Sequence, residues 1–109
     1  MKKVRILLAD DHTVMRAGLR ALLERQPNLE VVGEGDNGRE TVELAASLGP
    51  DVVVMDVAMP VLNGIEATKT IVTQRPATAV VVLSMHADES YVMRALKAGA
   101  RGYLLKDSP

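Results

Sequence analysis

Val52-Val53-Val54-Met55-Asp56 is the stretch on which the fold turns. Four consecutive apolar residues, three of them β-branched, end at a carboxylate. An apolar run with no polar alternation is expected of a strand buried on both faces, as in the middle of a parallel sheet. Gly49-Pro50 precedes it, and residues 57–63 after it contain Pro60 and read as a loop.

Outward from this run, the chain alternates between two periods. Val4-Arg5-Ile6-Leu7-Leu8-Ala9 is a short strand that stops at Asp10-Asp11. Residues 12–26 then carry Met15, Leu19, Leu22 and Leu23 at helical spacing, until Pro27-Asn28. Val31-Val32-Gly33 predicts a second strand. Asn37-Gly38 opens a helix over residues 39–48 with Val42, Leu44 and Ala45, which Gly49-Pro50 closes. After the central run, a helix is expected over residues 64–73, with Pro76 beyond it. Ala79-Val80-Val81-Val82-Leu83 is another continuous apolar strand. Asp88 is a candidate cap for a helix through Ala98, with Gly99 as its stop. Tyr103-Leu104-Leu105 is the last strand.

Five strands alternating with four helices imply an α/β fold, a doubly wound parallel sheet with right-handed crossovers. Ligands of such sheets sit beyond the carboxyl ends of the strands. Here those ends are Asp10-Asp11, Gly35, Asp56, Ser84 and Lys106. If strands one and three are neighbours, three carboxylates crowd together. Two carboxylates about 4–5 Å apart repel by roughly 3–4 kcal/mol at an effective dielectric near 20. A hard divalent cation with oxygen ligands is the natural counter-charge, and Mg²⁺ takes one or two carboxylates plus water and phosphate. Lys106 offers a second, fixed positive charge.

Composition sets the outer limits. The 109 residues suit one domain, residues 1–109. There is no cysteine, which excludes disulfides and thiolate metal sites and fits a cytoplasmic location. No apolar run approaches the roughly 20 residues of a membrane span, so no membrane role is expected. The net charge of −1, from 13 basic and 14 acidic residues, gives no footprint for nucleic acid. Tyr91 and Tyr103 are the only aromatic residues, so stacking platforms for bases are lacking.

The same strand-end residues carry a family resemblance. The chain resembles the receiver domain of bacterial response regulators, with the CheY-like fold. Asp10-Asp11 matches the family's acidic pair, and Asp56-Val57-Ala58-Met59-Pro60 with Gly64 matches its phosphoacceptor loop. Ser84 matches the hydroxyl switch, Tyr103 the aromatic switch and Lys106 the family's lysine. Ala9-Asp10-Asp11-His12 and residues 97–107 look like the NarL/FixJ subgroup of transcriptional regulators.

The resemblance implies strand order 2-1-3-4-5, with Asp56 taking a phosphoryl group from a sensor histidine kinase. It implies Mg²⁺ held by Asp11, Asp56 and the Ala58 carbonyl, with Asp10 acting mostly through a bound water. Lys106 and Ser84 would contact the phosphoryl oxygens. Such a domain is not an enzyme beyond its own phosphorylation and dephosphorylation. Homodimerisation on phosphorylation is expected. DNA contact is expected only through a helix-turn-helix output domain outside these residues. Receivers of this family close with a fifth helix, and Ser108-Pro109 reads as its cap and first position. The chain is therefore expected to be a C-terminally truncated receiver lacking that helix, with apolar residues of strands three to five left open.

Blander readings of these residues exist. Asp10 could be the N-cap of the first helix, and Tyr103 could be mere packing on an edge strand. His12 and His86 are set aside as metal ligands, because they lack i,i+4 spacing and a hard cation prefers oxygen. Rival functions are a stand-alone receiver acting by protein contact, a Mg²⁺-dependent aspartyl phosphohydrolase, a flavin-binding module and a receiver that has lost phosphorylation. The phosphohydrolase needs a general acid where Ala58 stands. The flavin module needs a phosphate cradle where Asp10-Asp11-His12 stands, and those carboxylates would repel phosphate.

Overall fold

The computed structural model describes residues 3–56, 63–84 and 89–105. Ala58, Lys106, His86, Asp88 and Ser108-Pro109 lie outside the described residues, as does the loop containing Met59 and Pro60. Strand β1 (Val4–Ala9) is followed by α1 (Thr13–Glu24), β2 (Leu29–Gly35) and α2 (Gly38–Leu48). Then come β3 (Val52–Asp56), α3 (Gly64–Gln74), β4 (Ala79–Ser84), α4 (Glu89–Ala98) and β5 (Gly102–Leu105). The strands form one sheet in the order β2-β1-β3-β4-β5, and every pairing is parallel. The expected fold class and strand order are both present. β2 runs longer than Val31–Gly33 suggested, because its ladder with β1 continues to Gly35 opposite Ala9.

Alternation along each strand assigns residues to faces. Leu7, Ala9, Val53, Met55, Val80 and Val82 point to one face and are buried against α2, α3 and α4 through Ala45, Ala67, Ile71 and Ala95. Ile6, Leu8 and Val31 point to the other face, beneath Leu19 and Leu23 of α1. The central run is therefore not buried on both faces. Val53 and Met55 are buried, but Val52 and Val54 are only half-buried. The reason is coverage: α1 packs on β1 and β2, and no residue of α1 is fully buried. Val81 is also half-buried and Leu104 is exposed.

Local chemistry fixes the helix ends. Asn37 caps α2 by accepting the Glu40 N–H at 2.8 Å, while the Glu40 carboxylate accepts the Asp36 N–H at 3.0 Å. Asn63 does the same for α3, accepting the Glu66 N–H at 2.9 Å. Gly49 ends α2 with φ +58°, the left-handed conformation that favours glycine. Gly35 answers a different need. A Cβ there would run into the Thr41 hydroxyl, so its missing side chain lets α2 lie close on the end of β2.

Candidate functional site

The parallel ladders bring the carboxyl ends of β1, β3 and β4 to one edge of the sheet. Ala9 pairs with Met55, so Asp10 and Asp56 leave adjacent strands side by side. Both are buried, each about 1% exposed. Asp11 is the exposed member of the group. Ligand atoms from Asp10, Asp11, His12 and Asp56 lie within 4.8 Å of one another. Three of the strand-end residues singled out from the sequence thus meet.

Ser84 ends β4 and is fully buried; its ladder partner is Leu105, the residue before Lys106. Asp56 is paired with Leu83, so Ser84 stands one position further along the neighbouring strand. Tyr103 is opposite Val82 and packs, half-buried, against the α2–α4 side of the core. Gly35 also reaches this edge, where its carbonyl accepts the Asp10 N–H at 3.1 Å.

The acidic turn is held by backbone and side-chain bonds. Asp10 is not the cap of α1. The cap residue is His12, which makes no side-chain capping bond. Instead, Asp10 Oδ1 accepts the His12 N–H at 2.8 Å, bracing the turn between β1 and α1. Arg16, one turn into α1, donates to the Asp10 carbonyl at 2.6 Å and to Glu34 at 2.8 Å. Arg20 also donates to Glu34. The bond from Arg20 is the main cause holding the Glu34 carboxyl below its ordinary range; the Arg16 bond adds to it, and partial burial opposes both. The same Glu34 bond raises the Arg20 guanidinium.

Neither Arg16 nor Glu34 stood out in the sequence. Arginines four apart on an amphipathic helix read as a solvated face. Only the register of β2, which sets Glu34 opposite Leu8, brings the carboxylate beneath them. His12 was set aside on its spacing and on the preference of a hard cation for oxygen. The i,i+4 rule concerns two residues within one helix, and His12 stands before the helix begins. Its Nδ1 lies 3.0 Å from Asp10, 3.2 Å from Asp11 and 3.8 Å from Asp56.

The donor set suits a hard divalent cation. Two carboxylates withdrawn from water beside each other are costly unless a counter-charge is supplied. The carboxylate oxygens of Asp10, Asp11 and Asp56 are of the type used for Mg²⁺ and its waters, with the His12 nitrogen beside them.

The model of the response regulator receiver domain matches residues 6–109. The chain belongs to the response regulator receiver family. It is 47% identical over 105 residues to the transcriptional regulatory protein DegU of Brevibacillus brevis, covering 96% of this chain and 44% of that protein. It is 44% identical over 102 residues to the nitrate/nitrite response regulator NarL of Escherichia coli K12, covering 94% and 47%. This receiver thus spans about half the length of the curated relatives it matches. Among solved structures, the signal receiver domain of NarL from Mycobacterium tuberculosis superposes with a TM-score of 0.95 at 36% identity, over 100% of this chain and 88% of that one. A LuxR-family response regulator from Aurantimonas sp. SI85-9A1 gives 0.93 at 39% identity, over 98% and 76%. The receiver is therefore of the NarL/LuxR type. None of its described helices is long and apolar enough to cross a membrane.

Proposed function

We propose that Asp56 is the phosphoacceptor of this receiver, and that a sensor histidine kinase is the donor. The observation that carries the reading is the buried Asp56 carboxylate at the end of β3, grouped with Asp10 and Asp11 at the solvent-facing edge of the sheet. A carboxylate oxygen of Asp56 forms the new O–P bond as the N–P bond of a phosphohistidine breaks. The departing electron pair stays on the imidazole nitrogen.

Asp11, Asp56 and the Ala58 carbonyl would hold Mg²⁺, with Asp10 assisting through a water. When bound, the ion supplies charge neutralisation between the carboxylates and the phosphoryl oxygens. The chain's own contribution is positioning and electrostatics, as phosphoryl transfer generally requires. Asp10 and Asp56 are fixed by the β1–β3 ladder, and Arg16 holds the Asp10 turn. Ser84 and Lys106, from the ends of β4 and β5, would donate to the phosphoryl oxygens.

The added charge would draw Ser84 inward and free space for the Tyr103 ring, biasing the α4–β5 surface. A second copy would pair there. Residues 1–109 act as the receiver part of a longer cytoplasmic regulator. Its DNA contact comes from a helix-turn-helix output domain, a reading supported by the relatives' names and greater length. Apart from handling its own phosphoryl group, the domain is not an enzyme.

The test is intact-mass spectrometry after incubation with a small-molecule phosphodonor and MgCl₂. One added phosphoryl is expected, lost in Asp56→Asn. Undiminished labelling of that variant would end the assignment. Beryllofluoride with Mg²⁺ should also shift the NMR resonances of the Tyr103 ring, and an unchanged ring would end the switch reading.

A further inference from the structure

We propose that His12 is a nitrogen donor of the acidic site, tilting its selectivity from Mg²⁺ towards transition-metal divalent cations. This rests on the reading of the site as a divalent-cation site, and adds to it a ligand that the carboxylates do not supply.

The geometry comes first. Nδ1 of His12 stands 3.0 Å from Asp10 Oδ1, 3.2 Å from Asp11 Oδ1 and 3.8 Å from Asp56 Oδ2. With metal–donor bonds of about 2.1 Å, neighbouring donors are roughly 3.0 Å apart in an octahedral centre and roughly 3.4 Å apart in a tetrahedral one. The imidazole nitrogen is spaced from the Asp10 and Asp11 oxygens as one member of such a shell is spaced from the others, while the Asp56 oxygen at 3.8 Å lies further off and would have to close on the ion.

The backbone then fixes where the ring starts. The His12 N–H is bonded to Asp10 Oδ1, and the His12 carbonyl accepts the Arg16 N–H at 2.9 Å as the first bond of α1. The ring therefore leaves the chain beside the carboxylates. The His12 side chain is 63% exposed, so it can turn without disturbing the core and leaves a path for an ion.

Chemistry gives the direction of the effect. Mg²⁺ is a hard ion that prefers oxygen and water and gains little from a nitrogen ligand. Imidazole favours Co²⁺, Ni²⁺ and Zn²⁺. A site of three carboxylates alone would discriminate little among hard ions. The same site with His12 should favour the softer ones. The competing account of these contacts is an imidazolium that only balances the carboxylates. Removing it would then strengthen or leave unchanged the binding of every divalent ion to the same degree.

The experiment titrates the 109-residue chain with MgCl₂ and, separately, CoCl₂ by calorimetry at about pH 8. Wild type, His12→Ala, His12→Asn and Asp11→Ala are compared. Asn is a good helix cap, so His12→Asn keeps α1 intact if the alanine variant loosens it. The Co²⁺-to-Mg²⁺ affinity ratio should fall roughly tenfold or more in both His12 variants, with Mg²⁺ affinity itself little changed. Pulsed EPR of the Mn²⁺ form should show a directly coupled nitrogen in wild type that both His12 variants lack. An unchanged ratio, or no coupled nitrogen, would overturn the assignment of His12. If in that case Asp11→Ala still loses both ions, the carboxylate site stands and only His12 is wrong. If Asp11→Ala binds both ions like wild type, the cation-site reading fails and the proposal with it.

Discussion

Arg16 donates a 2.6 Å hydrogen bond to the backbone carbonyl of Asp10, tying the first turn of α1 to the acidic edge of the sheet. Its other donor reaches Glu34 on β2, so one guanidinium fork joins three elements. A fork of this kind is not replaced by a lysine ammonium. Arg16→Ala should cost about 1–2 kcal/mol in stability, the usual scale for a partly buried charged hydrogen bond. It should also weaken divalent-cation binding severalfold by freeing the Asp10 turn. Arg16→Lys should recover only part of either loss. Urea unfolding and metal titration of the variants test both effects, and full recovery by lysine would show that only charge matters at this position.

The Glu34 cluster gives a pH dependence with a definite sign. Arg20 first, then Arg16, lower the Glu34 carboxyl from its ordinary value of 4.5. Its folded pKa lies below its unfolded one, so its contribution is fully present above about pH 4.5 and is lost as pH falls through the lowered value. Glu34→Gln lacks this contribution at every pH. The stability gap between wild type and Glu34→Gln should therefore be widest near neutral pH and narrow as the solution is acidified. Denaturant midpoints at several pH values measure it, and a gap that widens in acid would contradict the ion-pair account.

The sheet was legible because apolar runs ending in polar residues mark parallel strands wherever they fall. Val52–Asp56 and Ala79–Ser84 were found from pattern alone, and so were Asp10, Asp11 and Asp56 as a meeting group. The half-burial of Val52 and Val54 was not legible, because burial of a strand face depends on which helix covers it. The Arg16–Asp10 and His12–Asp56 contacts were hidden for another reason. They depend on the path of the chain between β1 and α1, where no period exists to read. Glu34 became visible only through strand register, which one residue of slip would have reversed.

Cation binding should appear directly in stability. A ligand that binds only the folded chain stabilises it by about 2.7 kcal/mol at one hundred times its Kd. For a domain of this size, that is a rise in Tm on the order of 10 °C. MgCl₂ should therefore raise the calorimetric Tm of wild type, and raise that of Asp11→Ala much less. Sodium chloride at matched ionic strength is the control, since screening of carboxylates alone also stabilises. Equal shifts with the two salts would mean that no specific ion is held.

Two glycines should respond to alanine with opposite signs. Gly35 ends β2 beneath Thr41, where an added Cβ would strike the Thr41 hydroxyl and press on its Cα at 3.4 Å. Thr41 cannot turn away freely, because it is fully buried and its hydroxyl donates to the Asn37 carbonyl at 2.8 Å. Relief requires moving α2 off the sheet, so Gly35→Ala should cost about 1–3 kcal/mol. The Gly35 carbonyl accepts the Asp10 N–H, so any shift of the β2 end that relieves the clash should carry over to the acidic edge and weaken cation binding there. Gly18 lies inside α1 with nothing within 4 Å of an added Cβ. Alanine there removes backbone freedom from the unfolded chain and adds no clash, so Gly18→Ala should stabilise by about 0.5–1 kcal/mol. It should leave cation affinity unchanged, since Gly18 touches none of the acidic residues. Chemical denaturation and metal titration of the two variants side by side give the check. A destabilised Gly18→Ala would mean that α1 is packed against more than the sheet, and an unaffected Gly35→Ala would mean that α2 yields more easily than its contacts imply.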